Sequence, residues 1–352
     1  MEYTSLLIIA FCFLCTFSVT KFLKPIAAHV KLVDKPGGRK KHEGHIPLVG
    51  GLSIYIGTTI TALLFLEQPI FIRLFLLAGG LIVFIGAIDD RYDISARLKL
   101  MGQVLVCAIF VYGLDIKISS LGNLLGFGDI QLGLLAYPLT IMALVGSINA
   151  FNMMDGVDGL VGSLAAISFL GLAFLFGVND NSNFQLLSLI FVSAITAFLV
   201  FNIWGSPSNK NLKKVFMGDA GSTFMGLALG VLLIKGSQEP SHAFSPITAL
   251  WLVLLPMTDM FTIMYRRIRR GRSPMAADRT HIHHILLRAG LNKYKTLAIM
   301  IFIQFLLVFV GTALYFQNGL EIFSFAMTAI VWSIYQFLMK RSWRLIRWVK
   351  RT

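Results

Sequence analysis

Charged residues are scarce in this 352-residue sequence. Asp, Glu, Lys and Arg make up 14% of it, against about 25% in a typical soluble domain. Hydrophobic residues make up 56%, and the mean hydropathy is +0.76. This composition argues against a water-soluble globular protein and against a disordered chain, which has little apolar content. With 10 prolines and 31 glycines and no regular spacing of either, a collagen-like chain is excluded as well.

Cysteine is also rare. The three cysteines, Cys12, Cys15 and Cys107, all lie in apolar stretches. They give neither a disulfide framework nor a zinc-binding set, so we interpret them as packing residues. The first apolar run lacks a preceding basic segment and a small-residue cleavage site, and we therefore expect it to be retained as a membrane anchor.

Long apolar runs, in contrast, are abundant. A bilayer core of about 30 Å needs about 20 apolar residues per crossing helix. The sequence predicts eleven such segments, at residues 3–20, 46–66, 69–88, 100–114, 132–148, 160–178, 184–204, 215–234, 244–265, 297–316 and 322–339. We therefore predict an all-α polytopic membrane protein that forms one domain over residues 1–352.

The charges are distributed unequally between the connections. With eleven spans, 28 of the 31 Lys and Arg residues fall on one side of the membrane. The positive-inside rule makes that side cytoplasmic, with the N-terminus in the periplasm and the C-terminus in the cytoplasm. Ten of the 17 acidic residues lie at the same face. Anionic lipid could explain the basic residues, but acids at span ends suggest a polyanion bound through a divalent cation at the cytoplasmic face.

Three short motifs on that face carry acids beside glycines. Asp89 and Asp90 are adjacent, so they repel each other and call for a cation nearby, unless they only cap a helix. Asn152, Asp155 and Asp158 recur every third residue and would share one face of a helical turn. Asp219 follows Gly218 at a predicted helix start, where it could be a cap or a ligand. Oxygen donors of this kind favour Mg²⁺ or Mn²⁺ over zinc.

Three of the seven histidines stand close together at His281, His283 and His284. The absence of cysteine there, and the spacing of two between the first pair, argue against zinc. Hydrogen bonds to phosphate or sugar hydroxyls fit better, beside basic residues that recognise phosphate. The preceding arginine run, at residues 266–272, could equally anchor lipid head groups. Asp259 is an acid within a predicted span, and we expect either a functional role or a pairing with a neighbouring helix.

Together these motifs resemble the polyprenyl-phosphate N-acetylhexosamine-1-phosphate transferase superfamily over most of the chain, and within it the WecA/Rfe branch. The segments that carry the resemblance are Ile46-Pro47-Leu48-Val49-Gly50-Gly51, Asp89-Asp90-Arg91-Tyr92-Asp93-Ile94-Ser95, Asn149-Ala150-Phe151-Asn152, Phe216-Met217-Gly218-Asp219-Ala220-Gly221-Ser222 and His281-Ile282-His283-His284. The MraY branch has three consecutive histidines at the last motif, and the eukaryotic branch lacks acids matching Asp155 and Asp158. The resemblance therefore points to a bacterial enzyme.

The resemblance implies a reaction at the bacterial inner membrane. The phosphate of undecaprenyl phosphate would attack the β-phosphorus of UDP-N-acetylglucosamine, giving undecaprenyl-pyrophosphoryl-N-acetylglucosamine and UMP, the first step of O-antigen or a similar surface polysaccharide. The same chemistry with another UDP-N-acetylhexosamine is an alternative, and a secondary transporter is a remote one. No nucleic-acid partner is expected, and a homodimer is left open.

The resemblance also implies roles for individual residues. Asp219 and Asn152 would hold Mg²⁺ or Mn²⁺. Asp89 and Asp90 would deprotonate or position the lipid phosphate or help to hold the metal, and Asp155 would join them in catalysis. Asp158 and Phe216 would contact uracil. The remaining basic residues would contact phosphate, pyrophosphate or sugar. They are Lys41, Lys99, His281, His283 and His284, of which His283 would also be catalytic. Direct transfer and transfer through an aspartyl intermediate both stay open.

Overall fold

The computed structural model describes residues 3–34, 44–67, 69–206, 212–238, 242–274, 280–317 and 321–341. Most of this part of the chain is helical, which confirms the prediction of an all-α protein. Its helices are α1 (Tyr3–His29), α2 (Gly50–Phe65), α3 (Pro69–Tyr92), α4 (Ala96–Gly113), α5 (Ala136–Met153), α6 (Leu160–Val178), α7 (Ser182–Ile203), α8 (Gly218–Ser237), α9 (Pro246–Leu252), α10 (Leu254–Arg269), α11 (Ile282–Arg288), α12 (Lys293–Tyr315) and α13 (Glu321–Lys340). A short 3₁₀-helix spans Gly133–Leu135. Two-residue strands β1 (Val33–Asp34) and β2 (Ile46–Pro47) pair antiparallel.

Each of the eleven predicted membrane segments coincides with helix. In the described ranges, nine helices are long and apolar enough to cross a membrane, and α9 with α10 would make a tenth crossing. The predicted segment at 46–66 corresponds to α2, a shorter apolar helix of 16 residues. The chain is therefore a multi-pass membrane protein, while the number of crossings and the orientation stay predictions.

The predicted span at 244–265 is bent and consists of two helices, α9 and α10. The chain bends by 81° between α9 and α10. Pro256 lies in the first turn of α10, and a proline removes the hydrogen bond to the carbonyl four residues earlier, which here belongs to Leu252. That carbonyl accepts hydrogen bonds from the Ser168 hydroxyl at 2.7 Å and the Gln304 amide at 2.8 Å instead. The break is thus satisfied by side chains of α6 and α12.

Helix α8 lies at the centre of the molecule, since 94% of the residues in its apolar stretch are buried. Two glycines let neighbouring helices approach its first turn. A Cβ at Gly51 of α2 would overlap the backbone of Gly221, and a Cβ at Gly86 of α3 would overlap the backbone of Ala220. The start of α8 is therefore held between the backbones of α2 and α3.

The Pro-x-x-Gly-Gly motif fixes the approach to α8. The Phe216 amide donates to the Pro47 carbonyl at 2.9 Å, and the Gly50 and Gly51 amides donate to the carbonyls of Phe216 and Met217, both at 3.0 Å. The first N–H groups of α2, which have no partner within the helix, are satisfied in this way without a side-chain cap. This motif, one of those that carry the resemblance, thus joins α2 to the segment that precedes α8.

Candidate active site

Two carboxylates and one lysine from three helices form the core of the site. Asp89 lies in the last turn of α3, Lys99 in the first turn of α4 and Asp219 in the first turn of α8. The Lys99 ammonium forms ion pairs with Asp89 Oδ2 and with Asp219 Oδ2, the latter at 2.6 Å. We call these three residues, together with Asn152, the acid centre. Asp89, Asn152 and Asp219, for which the resemblance implied one shared site, lie together here, and Lys99 joins them.

Asp90 contacts the backbone of α8. Its Oδ1 accepts a hydrogen bond from the Asp219 amide at 2.8 Å, and its Oδ2 accepts one from the Ala220 amide at 3.3 Å. Gly218, with φ +72°, has no room for a Cβ beside that carboxylate. Asp90 therefore caps α8 and positions Asp219, whereas Asp219 itself does not cap its own helix. A catalytic role for Asp90 stays a prediction.

The expectation that Asn152, Asp155 and Asp158 share a helical face is wrong. Helix α5 ends at Met153, so only Asn152 is helical. The following turn runs to Gly159, which precedes α6 and has φ +77°, a left-handed conformation that favours glycine. Asn152 nevertheless faces the acid centre, since its Nδ2 donates to the Ser222 hydroxyl of α8 at 3.0 Å.

Asp155 lies in a recess bordered by other carboxylates. Its residue surface reaches solvent, but burial of the carboxylate raises its pKa to about 8, with repulsion from Asp219, Asp90 and Asp158 adding to the effect. The carboxyl group is therefore largely protonated at neutral pH in the metal-free protein. The structure thus brings Asp155 to the acid centre, as predicted.

Asp158 and Phe216 lie together through a residue that the sequence analysis missed. The Lys214 ammonium pairs with Asp158 Oδ2 at 2.7 Å and lies 5.8 Å from the centroid of the Phe216 ring. Lys293 adds a longer contact to the same carboxylate at 3.3 Å. A polar cavity of about 570 Å³ borders Lys214 and is lined also by Lys21, Lys24 and Lys213. Lys214 lies two residues before Phe216 in a basic stretch. That position was the only signal in the sequence for a role of Lys214 at the site.

The histidines belong to a second, mostly uncharged group. Asp259 of α10 accepts hydrogen bonds from three donors: its Oδ2 lies 2.5 Å from His281 Nδ1, and its Oδ1 accepts from the Ile282 amide at 3.1 Å and the Tyr335 hydroxyl at 2.5 Å. The side chains of Asp259, His281 and Tyr335 are buried. Asp259 thus pairs with neighbouring elements, which is one of the two outcomes expected for it. We call Asp259, His281, His283 and Tyr335 the histidine centre.

His283 differs from its neighbours because it is buried without a hydrogen bond. Only 1% of the residue is exposed, and neither ring nitrogen has a partner. Burial, with the adjacent His284 adding to the effect, lowers its pKa to about 3. A Cβ at Gly156 would overlap His283 Nε2. The neutral imidazole therefore packs on the Asp155–Gly159 turn, where the two centres meet.

The donor atoms of the acid centre fit a hard divalent cation. Asp219, Asn152 and Asp89 offer oxygen ligands, and the Lys99 ammonium lies between two carboxylates, where a positive charge is favoured. Within the described ranges, no three His, Cys, Asp or Glu side chains form a complete metal site. Mg²⁺ is commonly held by one or two carboxylates with substrate phosphates as the other ligands, so an incomplete protein set is compatible with it. Lys41, the remaining predicted site residue, lies outside the described residues.

The fold and the site define a class of protein: a multi-pass membrane enzyme with a carboxylate-rich centre between helix ends. Residues 72–237 match the model of glycosyl transferase family 4, and this range contains the whole acid centre and the Asp155–Gly159 turn. The histidine centre lies beyond the matched range.

Three relatives extend the similarity to nearly the whole chain. Proteins named undecaprenyl-phosphate alpha-N-acetylglucosaminyl 1-phosphate transferase from Escherichia coli strain K12 and Yersinia pestis are each 36% identical, over 96% of this chain and 92% of their own length. The protein of that name from Pasteurella multocida is 36% identical over 96% of this chain and 94% of its own length. This chain belongs to glycosyl transferase family 4, within the polyprenyl-phosphate N-acetylhexosamine-1-phosphate transferases of the WecA branch, as its motifs predicted. It is a transferase.

Proposed function

We propose that this enzyme transfers N-acetylglucosamine-1-phosphate from UDP-N-acetylglucosamine to undecaprenyl phosphate in the bacterial inner membrane. The products are undecaprenyl-pyrophosphoryl-N-acetylglucosamine and UMP, and the reaction starts a surface polysaccharide such as O-antigen. The observation that carries the proposal is the convergence of Asp89, Lys99, Asn152 and Asp219 from four helices on one point. The names of the relatives supply the lipid and the sugar nucleotide.

The reaction joins one phosphate to another and needs little covalent chemistry from the protein. An oxygen of the lipid phosphate attacks the β-phosphorus, the bond from that phosphorus to the bridging oxygen breaks, and the electron pair leaves with UMP. Catalysis then consists mainly of holding the anions in line and neutralising their charge. Asp219 and Asn152 would hold Mg²⁺ or Mn²⁺, with Asp89 beside them. When bound, the ion supplies neutralising charge to the pyrophosphate.

The protein's own side chains account for the other requirements. The Lys99 ammonium is partly exposed at the site. It would therefore be able to contact an incoming phosphate. Asp89, at the acid centre, would take the proton of a monoprotonated lipid phosphate, and Asp155 would join it in catalysis. Asp90 holds the first turn of α8 in place and so fixes Asp219.

The nucleotide half would lie beside Lys214. The Phe216 ring offers a flat surface for stacking, the Asp158 carboxylate can accept from the uracil N–H, and the neighbouring lysines supply charge for the α-phosphate. At the opposite border, His281, His283 and His284 would contact the pyrophosphate or the sugar. His283 has an unused N–H donor and an unused acceptor, as hydroxyl recognition requires.

The test uses purified protein, undecaprenyl phosphate and radiolabelled UDP-sugars, assayed for labelled lipid and for UMP. We expect label from UDP-N-acetylglucosamine in the lipid and equimolar UMP, both lost with chelator and restored by Mg²⁺ or Mn²⁺. Labelling that chelator leaves unchanged would refute the assigned chemistry. Preferred labelling from UDP-N-acetylgalactosamine would change the donor but keep the reaction. Uptake of sugar into liposomes without labelled lipid would instead support the transporter alternative.

A further inference from the structure

A groove runs between α10 and α13 beside the histidine centre. Its volume is about 910 Å³, within the range of specific ligand sites. The walls are apolar at one end, where Leu254 and Met257 of α10 face Thr328 and Trp332 of α13. We call it the α10–α13 groove. None of the described residues that line it belongs to the acid centre.

The other end of the groove is strongly basic. Arg266, Arg269 and Arg270 lie at the end of α10, and Lys340 lies at the end of α13. None of the described lining residues is acidic. Arg266 Nη1 is buried and has no hydrogen-bond partner. Such a nitrogen, in a groove that offers no carboxylate, indicates an anionic group from outside the protein.

Two hydrogen bonds join the two helices beside the groove. The Tyr335 hydroxyl donates to Asp259 Oδ1 at 2.5 Å, and the Gln336 amide donates to the Thr262 hydroxyl at 2.9 Å. Both bonds join α13 to α10, one helical turn apart on α10. The groove is therefore preformed, and its apolar-to-basic axis follows the two helices from Leu254 to Arg270, about 24 Å at a rise of about 1.5 Å per residue.

We propose that the α10–α13 groove binds an anionic glycerophospholipid, with its acyl chain on the apolar walls and its phosphate at Arg266 and the neighbouring basic residues. Basic pockets between transmembrane helices are suited to anionic lipid head groups. A zwitterionic lipid could cover the apolar walls but would bring no net charge to the four cations. The chain's own residues 342–352 carry four further Lys and Arg residues and would be repelled.

The test is native mass spectrometry of the purified full-length protein in neutral detergent, titrated with dioleoylphosphatidylglycerol or dioleoylphosphatidylcholine. We expect the phosphatidylglycerol complex to form at least tenfold more tightly. Each basic residue beside an anionic lipid contributes roughly a fivefold factor. The double variant Arg266→Gln, Arg269→Gln should therefore weaken phosphatidylglycerol binding about 25-fold and leave phosphatidylcholine binding unchanged. Lys340→Gln on the other wall should weaken it about fivefold and serves if the double variant does not fold.

Arg272→Gln is the matched control, because Arg272 belongs to the same basic run but is not among the described residues that line the groove. It should change phosphatidylglycerol binding less than twofold. Equal binding of the two lipids would overturn the proposal, as would an equal loss of binding in Arg272→Gln. Stoichiometric displacement of phosphatidylglycerol by undecaprenyl phosphate would also overturn it, since the groove would then be the acceptor's own. No sugar nucleotide is present, so the result does not depend on the proposed reaction.

Discussion

The acid centre and the histidine centre differ in how their carboxylates are paired. In the acid centre, carboxylates from separate helices share one ammonium, and Asp155 beside them has a raised pKa. In the histidine centre, the single carboxylate of Asp259 has three protein donors, and the one group left without a partner is the neutral imidazole of His283. The first arrangement is short of positive charge, while the second is electrically satisfied.

This difference indicates what each region lacks. A cluster of carboxylates with one cation is stabilised by a further cation, whereas a buried imidazole without partners is stabilised by a hydrogen-bonding group that has no net charge. The acid centre is thus suited to metal and phosphate, and the histidine centre to the hydroxyls or amide of a sugar. They meet where His283 packs on Gly156.

The largest effect is expected at Asp219. The change Asp219→Ala removes the one carboxylate predicted as a metal ligand, and we expect the rate of lipid labelling to fall about a thousandfold. Asp115→Ala is the control, since Asp115 is an exposed acid paired with Lys117, and it should keep wild-type activity. A rate within tenfold of wild type for Asp219→Ala would remove this residue from the centre of the mechanism.

The contact between the two centres is tested at Gly156. A Cβ there would overlap the His283 ring, and such overpacking costs about 1–3 kcal/mol. We expect Gly156→Ala to lower the thermal midpoint and the labelling rate together. Gly146→Ala is the matched control, because its Cβ would meet only the ends of Met257 and Met260, at 3.6 and 3.9 Å. Identical behaviour of the two variants would show that the centres do not touch.

Substitutions of Asp90 distinguish a positioning role for this residue from a catalytic one. Loss of a helix cap costs about 0.5–2 kcal/mol, so Asp90→Ala should lower the thermal midpoint. Asp90→Asn keeps an oxygen for the shorter bond to the Asp219 amide and should retain much of both stability and activity. If Asp90→Asn were as inactive as Asp219→Ala with an unchanged midpoint, the charge of Asp90 would be used in catalysis and not only in capping.

A smaller effect is expected from Tyr335→Phe, which removes one of three hydrogen bonds to Asp259. The labelling rate should fall about fivefold, as expected for a bond worth about 1 kcal/mol. In a His281→Gln background the same change should have almost no further effect on the rate, because Tyr335 would act through the carboxylate that orients His281. Additive losses in the double variant would contradict that coupling.

The last prediction concerns the effect of Asp155 on the stability of the fold. Its pKa is about 8 in the folded metal-free protein, above the usual value of 3.8, so this group destabilises the fold progressively as the pH rises from about 4 to about 8. Asp155→Asn should therefore raise the thermal midpoint, and by more at pH 8 than at pH 5, in chelator. A difference that shrinks with rising pH would contradict the raised pKa.

The sequence predicted the acid centre better than its surroundings. Asp89, Asn152 and Asp219 could be found because acids and an amide at predicted span ends are unusual in a membrane protein. Their placement on one face was expected because alternate connections between predicted spans lie on the same side of the membrane. The end of α5 at Met153 and the bend before Pro256 could not be predicted, because a glycine or proline is compatible with several local geometries until its partners are known. For the bend, those partners are Ser168 and Gln304, distant in sequence.

The partners of the second centre were also beyond the sequence. Tyr335 lies 76 residues from Asp259, in a helix that reads as an ordinary apolar span. Lys214 is one of several basic residues in its connection, and only the fold brings it to Asp158. In both pairs the specific contact depends on the packing of helices that no local pattern encodes.

The central claim is that the acid centre binds one divalent cation. Titration of Mn²⁺ into purified protein, followed by electron paramagnetic resonance, measures this without substrate turnover. We predict one Mn²⁺ per chain in the presence of UMP and pyrophosphate, retained in Asp115→Ala and lost in Asp219→Ala. Mn²⁺ binding of the same stoichiometry and affinity in Asp219→Ala would contradict the account.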